Sequence, residues 1–105
     1  MILEKFYKGE SLRLQVDLTD AAGEPIAITE LEDVEVLLQV NKKDVATLII
    51  DEGIEPGEEA NQLVLTVSAA DTANWNTGRL TANFSLVIDG ETTIEQVILY
   101  DVQTP

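Results

Sequence analysis

The chain has 105 residues, 45% of them hydrophobic, with 20 acids against 6 bases and a formal charge of −14. Its length and apolar content suit one domain over residues 1–105 with a single core, and exclude a disordered tail. The scattered bases Lys5, Lys8, Arg13, Lys42, Lys43 and Arg79 disfavour nucleic acid and anionic membranes as partners, because phosphate binding needs clustered cations.

Strands are expected where apolar residues recur with a period of two, since only an extended backbone puts alternate side chains on one face. Ile2 to Tyr7 is the first such segment, ending at Gly9. Ser11 to Thr19 is the second, with Leu12, Leu14, Val16 and Leu18 on one face. Residues 20–25 read as a turn, with Gly23 for positive φ and Pro25 to end the ladder. Ile26 and Ile28 mark a short strand, and Thr29 to Asp33 a connector in which Leu31 plugs inward. Val34, Val36, Leu38 and Val40 give the next strand, with Leu37 on its outer face. Residues 41–44 then turn the chain into Val45 to Ile50. Residues 51–61 hold five acids, two glycines and Pro56, and read as a mobile loop.

Leu63, Leu65 and Val67 alternate again, which turns Val64 outward. Ser68 reads as the N-cap of one helical turn through Trp75, closed by Asn76-Thr77-Gly78. Leu80 to Ile88 and Glu91 to Val102 form the final hairpin, joined by Asp89-Gly90, a pair suited to a two-residue turn with positive φ. In its second strand Ile94, Ile98, Tyr100 and Val102 fall on one parity, and Val97 and Leu99 on the other. A bulge near Glu95-Gln96 would reconcile them, as would a strand buried on both faces by an oligomeric partner. The sum is an all-β antiparallel sandwich of seven to eight strands with one short helical turn. Its expected core includes Leu14, Val16, Val36, Leu38, Leu65, Phe84 and Leu86, with Leu37, Val64 and Leu99 or Tyr100 as outward apolar residues at docking edges.

Chemistry-bearing patterns are few. Without His or Cys, a Ser-His-acid triad, a cysteine nucleophile and a zinc site of the usual ligands are excluded. Asp51, Glu52, Glu55, Glu58 and Glu59 could in principle hold calcium, but their spacing is not that of a D-x-D-x-D-G loop, and a solvated loop is the favoured reading. Trp75, Phe6, Tyr7 and Tyr100 are candidates for a sugar-stacking platform, against a core-plug reading of Trp75. Asn83-Phe84-Ser85 matches a glycosylation pattern, but it lies mid-strand and reads as coincidence. No catalytic, cofactor-binding or metal-binding residue is assigned, and the chain is read as no enzyme and as needing no cofactor. Met1 to Lys8 lacks the apolar run of a signal peptide, so synthesis in the cytoplasm is expected.

The landmarks, taken in order, resemble immunoglobulin-like domains of bacteriophage and prophage tail, baseplate and fibre proteins. Tyr7-Lys8-Gly9-Glu10-Ser11 is similar to their "K-G-D/E-S/T" entry to the second strand. Leu14 to Ile26 resembles their "V-x-L-x-D-x-x-G-x-P-V" turn. Leu63 to Ala73 resembles a strand running into "S-x-x-x-T-A", and Gly78-Arg79-Leu80 with Phe84 and Asp89-Gly90 resembles "G-x-Y/L…V/F…D-G". Leu80 stands where a Tyr is frequent, and Trp75 where a Leu-Pro pair is frequent. The resemblance implies an immunoglobulin-like sandwich serving as a virion-associated structural module. Its implied partners are other phage structural proteins or further copies of itself. It transfers no catalytic residues. From a different class, a carbohydrate- or cell-surface-binding sandwich is the alternative.

Overall fold

The computed structural model describes residues 4–20 and 22–105. Eight strands form one curled sheet: β1 (Lys5–Tyr7), β2 (Leu12–Asp17), β3 (Asp33–Val40), β4 (Lys43–Ile50), β5 (Gly53–Pro56), β6 (Gln62–Val67), β7 (Gly78–Ile88) and β8 (Glu91–Gln103). Their order across the sheet is β1-β8-β7-β3-β4-β5-β6-β2. Consecutive strands β1 and β2 thus lie at opposite ends of it. A flat sheet of that width would separate them by about 34 Å, from seven steps of about 4.8 Å. The connection from Tyr7 to Leu12 reaches about 17 Å at full extension. The sheet therefore has to curl, and it forms an open half-barrel with the apolar faces inside.

Most pairings are antiparallel, as the alternation implied, but two are parallel. β1 runs parallel to β8, with Phe6 beside Val102, and β4 meets β5 through two parallel pairs, Ile49 with Gly53 and Ile50 with Ile54. The part of the expected first strand at Ile2 and Leu3 lies outside the described residues. Two hairpins close with two positive-φ residues: Asn41 and Lys42 between β3 and β4, where Lys43 and Asp44 of the expected four-residue turn already belong to β4, and Asp89 and Gly90 between β7 and β8, as expected. That is the backbone twist a two-residue hairpin loop needs. The Asn41 carboxamide also donates to Thr77 O at 2.9 Å and accepts from Arg79 N at 3.1 Å, tying the first of these hairpins to the start of β7.

Several expectations are corrected. Ile26 and Ile28 do not form a strand: Pro25 makes a single bridge to Thr19, and Ile28–Glu30 winds into one 3-10 turn. Ile26 N still donates to Leu18 O at 3.0 Å, but Leu18 N turns to Asn61 O and Ile28 N to Ala60 O, both at 2.8 Å, so the ladder has no second rung. The stretch read as a mobile loop contains β5, whose Ile54 is completely buried between Ile50 and Leu65. Leu14 and Val16 are only half-buried, because β2 ends the sheet order and has one neighbour. Val64, expected outward, is buried at 7% exposure, since Gln15 and Glu55 flank it across β6 and carry long stems. Val36, Leu38, Leu65, Phe84 and Leu86 are buried as expected.

One helical turn, α1 (Ala69–Thr72), closes an end of the half-barrel. Ser68 caps it by accepting from Asp71 N at 3.3 Å. Thr72 is fully buried and joins α1 to the β1–β2 connection: its hydroxyl donates to Glu10 O at 2.6 Å and accepts from Gly9 N at 3.0 Å. Trp75 follows as a core plug at 3% exposure, its ring 6.0 Å from Phe6, which in turn lies 5.9 Å from Tyr100.

Candidate protein-interaction edge

β8 is 13 residues long, but β1 covers only Asp101–Gln103 of its outer side. From Glu91 to Leu99 its pairing among the described residues is with β7 alone. Unpaired main-chain donors and acceptors on that side form a template for a further strand. The register fixes which side chains accompany them. Gly78, Leu80 and Ala82 of β7 face the core, and opposite them stand Val102, Tyr100 and Val97. Even and odd parities exchange between Tyr100 and Val97, so one extra residue must intervene. The register shift falls between the Leu80 and Thr81 pairs and leaves Leu99 as the bulged residue, not Glu95-Gln96 as the sequence suggested.

Beyond the bulge, the inner side of β8 carries Val97 opposite Ala82, Glu95 opposite Phe84, Thr93 opposite Leu86 and Glu91 opposite Ile88, all exposed. The outer side carries Ile98, Gln96 and Ile94 opposite Thr81, Asn83 and Ser85. Ile94 is 73% exposed, Ile98 48% and Val97 41%. These three aliphatic residues, and not Leu37, Val64, Leu99 or Tyr100, are the apolar component of the edge.

A side-chain amide ladder crosses four strands to reach this edge. Gln39 donates to Asp44 Oδ1 at 2.7 Å, Asn83 to Gln39 Oε1 at 3.0 Å, and Gln96 to Asn83 Oδ1 at 2.9 Å. The ladder has a direction. A carboxylate only accepts, so Gln39 must turn its NH2 to Asp44 and its oxygen to Asn83, and the same choice passes on to Gln96. Gln96 therefore ends the row with its Oε1 facing outward from the ladder. The sequence offered only Asn83 at an outward position inside an apolar strand, because the parity of Gln96 is set by the bulge at Leu99.

The other candidates are dispersed. Asp51, Glu52, Glu55, Glu58 and Glu59 are all exposed around β5, and no group of three or more acids among the described residues could hold a metal ion. Of the four aromatic residues weighed as a sugar platform, Trp75 and Phe6 are buried, Tyr100 is half-buried and Tyr7 alone is exposed. Asn83 of the glycosylation pattern is half-buried and committed to the ladder and to Leu37 O. A groove between β4 and α1 is lined by Asp44, Thr47, Glu52, Asp71, Asn74 and Trp75. Trp75 Nε1 is buried without a hydrogen-bond partner among the described residues. No helix is long and apolar enough to cross a membrane among those residues. Comparison with protein-family models, curated proteins and solved structures finds no match.

Proposed function

We propose that the chain is a non-catalytic structural and interaction module, a phage- or prophage-derived virion component of a tail, baseplate or fibre, that docks through the β8 edge. The arrangement we favour is immunoglobulin-like, with β1-β8-β7-β3-β4 as one layer and β5-β6-β2 as the other. Its support is the two-pair junction between β4 and β5, the thinnest link in the sheet order. The virion reading is supported by the turn and strand motifs quoted above.

One observation carries the docking reading: a long strand that from Glu91 to Leu99 is paired on one side only among the described residues, bearing Ile94, Val97 and Ile98 in the open. β proteins blunt exposed edges with bulges and inward-pointing charges, and the Leu99 bulge with Glu91 and Glu95 limits indiscriminate pairing here. Ile94 and Ile98 on the outer face remain in the open, as does Val97 on the inner face, and we take them as the apolar part of a partner surface. The Ile94→Lys/Ile98→Lys variant should fold with stability within about 0.5 kcal/mol of wild type, because both side chains face solvent. Immunodetection in purified particles should find the wild-type chain and miss this variant. Absence of the wild-type chain from particles would overturn the virion reading, and equal incorporation of the variant would overturn docking at β8.

A further inference from the structure

We infer that the β8 edge receives an extended strand of a cationic partner. That strand carries Lys or Arg on the side of Glu91 and Glu95, and apolar residues around a hydrogen-bond donor on the side of Ile94, Gln96 and Ile98. The inference rests on the docking reading above and adds the partner's chemistry. Strand addition draws affinity from main-chain hydrogen bonds and specificity from alternate side chains. Each face of β8 therefore states a separate requirement.

On the inner side, Glu91 and Glu95 share a face with Thr93 between them, and all three are exposed. No Lys or Arg occurs after Arg79, while Asp89 and Asp101 add to the negative charge of the hairpin. Opposite charges across a strand pair stabilise it, and like charges directly opposite do the reverse. On the outer side, Ile94 and Ile98 bracket Gln96, whose carbonyl oxygen terminates the ladder running from Asp44. A donor at the facing position would extend that ladder by one strand. An aliphatic residue on either side of the donor would cover the isoleucines. A second copy of this chain is the poorer occupant. It would bring its own Glu91 and Glu95, no base beyond Arg79, and another −14 charges.

The test titrates two synthetic peptides into the full chain, Lys-Val-Lys-Asn-Lys-Val-Lys and Glu-Val-Glu-Asn-Glu-Val-Glu, followed by calorimetry and backbone amide shifts. The cationic peptide should shift amides of residues 91–97 and bind about tenfold more tightly than the acidic one, from the two charge pairs at Glu91 and Glu95. Added salt should narrow that difference. The Glu91→Lys/Glu95→Lys variant should reverse the preference with an unchanged unfolding midpoint. Replacing the central asparagine by valine should weaken binding about two- to tenfold, the worth of one hydrogen bond, and no weakening would overturn the Gln96 contact. Equal binding of both charged peptides at residues 91–97 would overturn the cationic partner and leave the docking reading standing. No shift with any peptide would overturn the docking reading itself. Dimers in sedimentation that Ile94→Lys dissociates would assign the edge to a second copy and overturn the inference.

Discussion

Replacing Phe84 by Ala should destabilise the protein by about 3–5 kcal/mol, the usual cost of removing a buried aromatic side chain. Phe84 is 4% exposed in the middle of β7 and stands in register with Val36 of β3 on the same inner face. Its loss leaves a cavity at the centre of the sheet, where two neighbouring strands prevent collapse around it. Since small domains have about 5–15 kcal/mol in total, the variant should be close to unfolding at 37 °C. Chemical denaturation of Phe84→Ala beside Ser85→Ala separates the faces: the serine change should stay within about 0.5 kcal/mol. Equal losses in the two variants would mean that β7 is phased the other way.

Ile54→Ala should cost about 2–5 kcal/mol, the range for truncating a fully buried Ile. The residue lies between Gly57 and Asp51 in a stretch dense with acids, where a solvated loop would make the substitution nearly neutral. In the folded chain it is completely buried and bridges β4 to β6 through Ile50 and Leu65. Among the described residues β5 carries the only pairing between β4 and β6 in the sheet order, so its loss would also break the hydrogen-bonded continuity of the sheet. An unchanged midpoint in Ile54→Ala would remove β5 from the fold.

These two residues mark what the sequence made legible. Phe84 belongs to an alternation long enough to define a strand and a face without help from tertiary structure. β3, β6 and the β7–β8 turn were legible on the same ground. Ile54 is a single apolar residue among acids, and its strand exists only because β4 and β6 pair with it. At Ile26 and Ile28 the failure ran the other way: two apolar residues two apart looked like a strand, but the amides that would continue the ladder, Leu18 N and Ile28 N, donate to Asn61 O and Ala60 O instead. Alternation also assigns a face without saying how deep it lies. Leu14 and Val16 therefore came out half-buried on a terminal strand, while Val64 was covered by neighbours that only the register identifies.

The candidate site was the least legible part, for a reason internal to β8. Past the bulge its inward-facing positions are Val97, Glu95, Thr93 and Glu91, so three of the four are polar, while Ile94 and Ile98 face out. A hydrophobic pattern read alone inverts the phase of that segment. The amide ladder was equally hidden, because Asp44, Gln39, Asn83 and Gln96 come from four different strands.

Hydrogen exchange along β8 tests most directly the claim that its outer side is open. In an antiparallel pair, alternate amides point to the partner and the others away from it. The free chain at low concentration should thus show alternating slow and fast amides from Glu91 to Val97, and continuous protection only where β1 also pairs, from Asp101 to Gln103. Uniform protection of residues 91–97 in the isolated chain would contradict the account, since it would mean that this edge is already covered.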